Sequence, residues 1–309
     1  MAAGRKSRRG NRGAKAAGGG DPPYRHVLIT RYNIVSSFGV AGGFDPLDPV
    51  WLGHRETLFL RFCAPSVARQ TVRDFEWVMF VHPATPERFL APLAGHARLI
   101  KADNLDDAVE KLDRSIPADD RLFVSSRLDN DDAFAPDYIA TARKAALRFR
   151  QGPRSSASLT HGVRVELDSM QARGIYHIHS PFVTMVETSR PFRSVCWYPH
   201  TKIDNAGPLT AVTTARPMWL QTLHGRNVSN HRGWDAHAPG AVDAGLFADR
   251  FPGLDTARLA ASHPRLRLAV MRAAGDAKAG GTGAGRQKKR AGGDRPGKRR
   301  RPPARPRVV

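Results

Sequence analysis

Cysteine is nearly absent. Cys63 and Cys196 are the only two in 309 residues, and neither has CxxC or metal-ligand spacing. That excludes a disulfide framework and a thiolate zinc site, and it suits a reducing compartment. Long apolar runs are missing as well. No stretch approaches the roughly 18 apolar residues of a membrane-spanning helix. The charged N-terminus is not followed by the apolar segment of a secretory signal. The expectation is a cytoplasmic protein, at most peripheral at the inner face of a membrane. There is no GxxxxGK[ST], no HExxH among the 12 histidines, and no GxGxxG after a strand; Gly39, Gly42 and Gly43 have a different spacing. A P-loop, a zinc-protease helix and the dinucleotide fingerprint are thereby excluded.

Acidic residues are scarce, 28 against 49 Lys and Arg, for a net charge of +21. The imbalance is confined to the ends. Residues 1–20 hold six basic side chains (Arg5, Lys6, Arg8, Arg9, Arg12, Lys15) and no acid. From Gly275 on, twelve basic residues face only Asp276 and Asp294. Removing these +6 and +10 contributions leaves +5 for residues 21–274, ordinary for a globular domain. Both ends are rich in Gly, Ala, Arg and Lys and poor in large apolar residues, so residues 1–20 and 275–309 are expected to be disordered basic tails. Such tails could contact an anionic membrane surface or nucleic acid.

What remains alternates strand and helix. His26–Ile34, Phe75–His82, Ala97–Ile100 and Arg121–Leu128 read as strands. Helical patterns fall in Trp51–Gln70 (with a kink at Pro65), after Thr85-Pro86-Glu87, in Asn104–Leu112 and in Pro136–Arg150. That alternation predicts an α/β fold with a mostly parallel central sheet flanked by helices. The second half is less regular. Val163–Leu167 and Ile175–His179 suggest a hairpin, Phe182–Glu187 and Val195–Tyr198 short strands, Met218–Leu223 the start of a helix, and His224–Gly240 a loop. A single domain over 21–274 is expected, with a nucleotide half at about 24–150 and an acceptor half at about 151–274.

The strongest chemical signal is Arg127-Leu128-Asp129-Asn130-Asp131-Asp132, directly after an apolar strand. Ligands of open α/β sheets bind outside the carboxyl ends of the strands. Carboxylates crowded there repel one another unless a cation joins them. Mg²⁺ or Mn²⁺ takes oxygen ligands and bridges to phosphates, neutralising a diphosphate leaving group. The alternative is a helix-capping turn.

Ser126–Phe134 (SRLDNDDAF) resembles the RLDNDDA-type signature of a bacterial rhamnosyltransferase family. Further blocks agree in the same order: Ile29–Asn33, Trp51 with Arg55 and Cys63-Ala64-Pro65-Ser66, Phe75-Glu76-Trp77, Ser180–Glu187 and Trp219–Asn230. The resemblance spans about His26 to Arg232. It implies a GT-A-like (Rossmann-like) glycosyltransferase using a nucleotide-sugar donor such as dTDP-rhamnose, with a glycan, glycolipid or small glycoside as acceptor. It makes Asp129–Asp131 the DxD motif, with Asp129 near ribose or metal and Asp131 a direct metal ligand. It also implies a late histidine on the metal, for which His224 is the candidate.

In such an architecture Thr30, Arg31 and Asn33 border the nucleotide. Arg127, Asp129 and Asn130 join them, and Arg31 and Arg127 suit a diphosphate because the guanidinium fork matches phosphate oxygens. Arg55 is a weaker candidate for that task. Inverting transfer needs a base, and Glu187, ending an apolar strand, is the choice over Asp168. His200, Trp197, Tyr198, Trp219 and Trp234 are candidate acceptor contacts or core. Two rival readings remain: a metal-dependent nuclease or phosphotransferase on the same aspartates, and a nucleic-acid binder acting through its tails.

Overall fold

Along Tyr24–Arg31 (β1), Val27 and Ile29 pack on one face and Leu28 on the other, all fully buried. A strand buried on both faces belongs inside a sheet covered on both sides. β1 holds that place in the structure, a computed structural model that describes residues 23–34, 45–168, 171–225, 250–251 and 307–309. Parallel neighbours flank it: β2 (Glu76–Val81) and β4 (Leu122–Arg127). β3 (Arg98–Lys101) extends the sheet beyond β2. On the other side β9 (Val183–Glu187) runs antiparallel between β4 and β6 (Arg154–Leu159). With β10 (Leu209–Val212) and β12 (Arg307–Val308), eight strands lie in the order 12-10-6-9-4-1-2-3. A smaller sheet joins β5 (Ala133–Phe134), β11 (Trp219–Leu223), β7 (His161–Glu166) and β8 (Gln171–Tyr176), in the order 5-11-7-8. The expected α/β class, a mostly parallel sheet flanked by helices, is the one observed.

Helices cover both faces. α4 (Leu105–Ser115) presents Leu105, Ala108, Val109 and Leu112 to Val27, Ile29, Val78 and Phe80. That i, i+3, i+4, i+7 spacing is one helical stripe, and each buried leucine contributes about 1.5–3 kcal/mol. Asn104 caps the helix by accepting from the Asp107 amide. The opposite face is covered by α1 (Pro49–Leu58), α3 (Glu87–Ala94) and α5 (Tyr138–Arg148) through Trp51, Leu52, Leu90, Leu93, Tyr138 and Ile139. The kink expected at Pro65 appears as a π-helical turn at Phe59–Cys63 before α2 (Ala64–Ala68). Proline has no N–H to return to the preceding turn, so the helix widens there.

Several expectations are corrected. Val195–Tyr198 is not a strand, since Val195–Trp197 forms a 3-10 turn. Met218–Leu223 does not open a helix; Trp219–Leu223 is β11, buried between β5 and β7. A short apolar run has too few residues for periodicity to decide, and Trp and Thr favour the pleated surface. Gly162 on β7 makes that packing possible, because a Cβ there would meet the Trp219 ring at 2.1 Å. β6 and β10 were not expected at all. The region 275–309 is not structureless to its end. The Val309 amide donates to Ala211 O at 2.9 Å, and Thr213 N donates to Val309 O at 2.9 Å, an edge pairing that meets the backbone's need for partners. Residues 1–20, most of the second tail, Trp234 and the loop after Gly225 lie outside the described residues. No helix among the described residues is long and apolar enough to cross a membrane.

Candidate active site

Parallel strands β1, β2 and β4 deliver their carboxyl ends to one edge, and the acidic turn follows β4 there. No helix begins at the turn. β5 comes next and α5 starts only at Tyr138, so the cluster is not a helix cap. The turn is held from below. Asn130 Nδ2 donates to Tyr32 O at 2.9 Å, and Asp132 N donates to Asp129 O at 3.2 Å. From the side, Thr222 on β11 gives its amide to Asp132 Oδ1 at 2.7 Å and its hydroxyl to Asp131 O at 2.9 Å.

Two of the carboxylates face guanidinium groups. Arg31 Nη2, at the end of β1, donates to Asp129 Oδ1 at 3.1 Å. Arg55 Nη1, from α1, donates to Asp131 Oδ2 at 2.7 Å, with both side chains buried. β11 ends one residue before His224, which places the His224 Nε2 3.0 Å from the same Asp131 oxygen. His54 Nε2 is 3.3 Å from His224 Nδ1. Arg127 is buried beside Arg31, its Nε donating to Pro181 O at 3.1 Å, and Nη2 reaches the same oxygen.

The charges follow from these contacts. Burial opposes ionisation of Asp131, but Arg55 and then His224 outweigh it and hold the carboxyl below the usual range. Burial likewise opposes Asp129, and Arg31 and Arg127 lower it. Asp132 goes the other way: burial first, then the charges of Asp131 and Asp129, push it well up. Burial and the neighbouring Arg31 lower Arg127. The edge therefore presents two ionised carboxylates, three arginines and one carboxyl biased toward its protonated form.

Of the expected residues, Arg31, Arg127, Asp129, Asp131 and His224 converge at this edge. Four others do not serve as expected. Thr30 is fully buried and accepts from Trp77 Nε1 at 3.0 Å. Asn33 spends its side chain on Pro46 O, Thr85 Oγ1 and the His82 amide, at 3.1, 2.8 and 3.0 Å. Asn130 turns inward to Tyr32. Each supports the framework and none lines the edge.

Glu187 is the largest correction. Because β9 is antiparallel, its end lies beside Phe123, at the start of β4 and the far edge of the sheet. Glu187 is fully buried and accepts from Arg154 Nε at 2.7 Å, Arg193 N at 3.0 Å and Ser194 N at 2.8 Å. It anchors a loop at the edge of the sheet opposite the acidic turn. Asp168 is exposed, and Trp219 is core.

Asp131 and His224 are the described pair that could hold a divalent cation. The carboxylate suits Mn²⁺ or Mg²⁺, and the imidazole favours Mn²⁺, the transition metal of the two. Among the described residues no group of three His, Cys, Asp or Glu is gathered around one point. The donor set thus fits a cation completed by phosphate oxygens and water, the way Mg²⁺ is commonly held.

A mostly parallel sheet with an acidic, arginine-rich carboxyl edge is of the open α/β class, in which ligands bind outside the carboxyl ends of the strands. The family described as "Putative rhamnosyl transferase" matches residues 46–235, and the chain belongs to it. No protein of curated function matches the sequence. Among solved structures, S. aureus TarS 1–349 is similar at 11% identity and a TM-score of 0.36, covering 64% of this chain and 60% of that one. TarS 1–349 in complex with UDP gives 11% and 0.37, covering 65% and 60%. The 4-diphosphocytidyl-2C-methyl-D-erythritol synthase of Anaerococcus prevotii gives 10% and 0.31, covering 68% and 92%. The chain thus spans about 60% of the TarS fragment it matches.

Proposed function

We propose that the protein transfers a sugar from a nucleoside-diphosphate donor to a hydroxyl acceptor on a cell-envelope glycan, glycolipid or small glycoside, with inversion. The family description favours rhamnose, which makes dTDP-rhamnose the first donor to test. One observation carries this reading: Asp129 and Asp131 each bridge to an arginine at the carboxyl edge of the parallel sheet. Arg31 and Arg127 would bind the diphosphate, and Asp129 would set the ribose or the Arg31 fork. Asp131 and His224 would hold Mg²⁺ or Mn²⁺, which supplies Lewis-acid neutralisation of the departing diphosphate.

The acceptor's proton needs a base. His200 fits that task better than Glu187. Its Nδ1 donates to His179 O at 2.7 Å, leaving Nε2 as the acceptor nitrogen. Burial and then Arg127 lower its pKa to about 4, so the ring is neutral at pH 7. A bound diphosphate would offset Arg127 and make the nitrogen more basic. Cytoplasmic placement and membrane contact through the basic tails belong to this proposal, since the donor is a cytosolic metabolite class and the acceptor an envelope precursor. The nuclease reading needs a second cluster of carboxylates, and none occurs among the described residues.

The test is a melting screen of the full chain against nucleoside diphosphates and their sugars, with and without Mn²⁺. A ligand that binds the native state raises the melting temperature. A shift with one nucleotide family, lost in Asp131→Asn, supports the reading. No shift with any of them counts against it.

A further inference from the structure

The Asp131 carboxylate is engaged before any cation arrives. Arg55 Nη1 lies 2.7 Å from Asp131 Oδ2 and 3.5 Å from His224 Nε2. His224 Nε2 in turn is 3.0 Å from that oxygen. The guanidinium therefore stands against both side chains that would ligate a metal. A divalent ion cannot take the pair while Arg55 stays, because two positive charges at that separation repel strongly in a buried site. The described protein also supplies too few ligands to outbid the arginine alone.

Arg55 has an unspent donor as well. Its Nε is buried and makes no hydrogen bond. A buried orphan N–H carries a desolvation cost that a phosphate oxygen would remove. The guanidinium also lies 5.3 Å from the centre of the Trp51 ring, one helical turn earlier on α1, so its swing is anchored to that helix face.

We propose that Arg55 is a placeholder cation: it occupies the metal position in the donor-free protein and becomes a ligand of the donor's diphosphate when the donor binds. This rests on the donor and metal reading above. Cation binding is then conditional on the diphosphate, and by linkage each must tighten the other by the same factor, about 5–150-fold.

The experiment measures Mn²⁺ binding to the full chain by electron paramagnetic resonance, alone and with UDP or dTDP, in the wild type and in Arg55→Gln. The wild type should bind Mn²⁺ weakly alone and at least about 5-fold more tightly with the effective nucleotide. Arg55→Gln should bind Mn²⁺ alone more tightly than the wild type, and the enhancement by nucleotide should be smaller than in the wild type, because only the phosphate oxygens and no longer the release of Arg55 contribute to it. Equal Mn²⁺ affinity of wild type and Arg55→Gln without nucleotide overturns the placeholder while leaving the metal site standing. Nucleotide binding with no Mn²⁺ binding in either protein overturns the metal reading and the placeholder with it. If Arg55→Gln does not fold, Arg55→Lys carries the test. Lysine keeps the competing charge but not the fork, so Mn²⁺ binding should stay weak alone and gain less from nucleotide than in the wild type. Wild-type enhancement in Arg55→Lys overturns the proposal.

Discussion

Asp131 Oδ2 and Arg55 Nη1 are 2.7 Å apart, with side chains 6% and 7% exposed, and they tie the loop after β4 to α1. Removing one charge strands the other. Asp131→Asn leaves a buried guanidinium without its counter-charge, which costs about 3–5 kcal/mol. The expected result is a large fall in the denaturation midpoint together with loss of nucleotide binding. An unchanged midpoint would contradict the buried pair.

Glu187 should matter for folding and not for turnover. Glu187→Gln removes the charge that Arg154, Arg193 N and Ser194 N share, at a cost of about 1–3 kcal/mol. Assayed well below its melting temperature, the variant should keep its kcat. A drop of a hundredfold or more in a folded variant would restore Glu187 as the base.

His26 ties stability to pH. It is buried against Ser126 Oγ at 2.9 Å, and burial, with Arg143, lowers its pKa from 6.5 to about 3. Between those values the unfolded chain binds a proton that the native chain refuses. Stability therefore falls as pH drops through that window, by about 1.4 kcal/mol per pH unit for this one group. Urea midpoints from pH 7 to 4 should show the slope begin near 6.5, and His26→Gln should flatten it. A wild-type midpoint constant down to pH 5 would contradict the buried neutral ring.

Gly162→Ala tests the contact between β7 and β11. The new methyl would enter the Trp219 ring, and overpacking of that kind costs about 1–3 kcal/mol or more. Since β11 carries Thr222 and leads to His224, nucleotide binding should weaken with stability. An unperturbed midpoint and affinity would show that the strand is not clamped there.

The central sheet was legible because its strands are apolar runs ending in polar turns, and α4 because its stripe is unbroken. The place of the acidic turn at the sheet edge follows from its position directly after an apolar strand, and His224 lies against it. What failed was direction and pairing. Glu187 reads as a strand end in either orientation, and only the antiparallel insertion of β9 sends it to the far edge. Asn33, Thr30 and Asn130 stand at the expected place along the chain, but Thr30 on the doubly buried β1 meets Trp77, Asn33 just after the strand is taken up by Pro46, Thr85 and His82, and Asn130 reaches back to Tyr32. Arg55 shows little of its place in the sequence. Its i, i+4 relation to Trp51 was visible, yet its partner lies 76 residues away. β11 is too short for periodicity to separate strand from helix, and it is the element that brings His224 to Asp131.

The edge built by Asp129, Asp131 and the arginines is the proposed seat of the nucleotide-sugar donor. The most direct measurement is release of nucleoside diphosphate from a panel of nucleotide sugars, dTDP-rhamnose included, by the full chain and by Asp131→Asn. Release is expected from one donor with the wild type, raised by acceptor and abolished in Asp131→Asn. Release that survives unchanged in a folded Asp131→Asn, or no release and no binding with any donor, would contradict it.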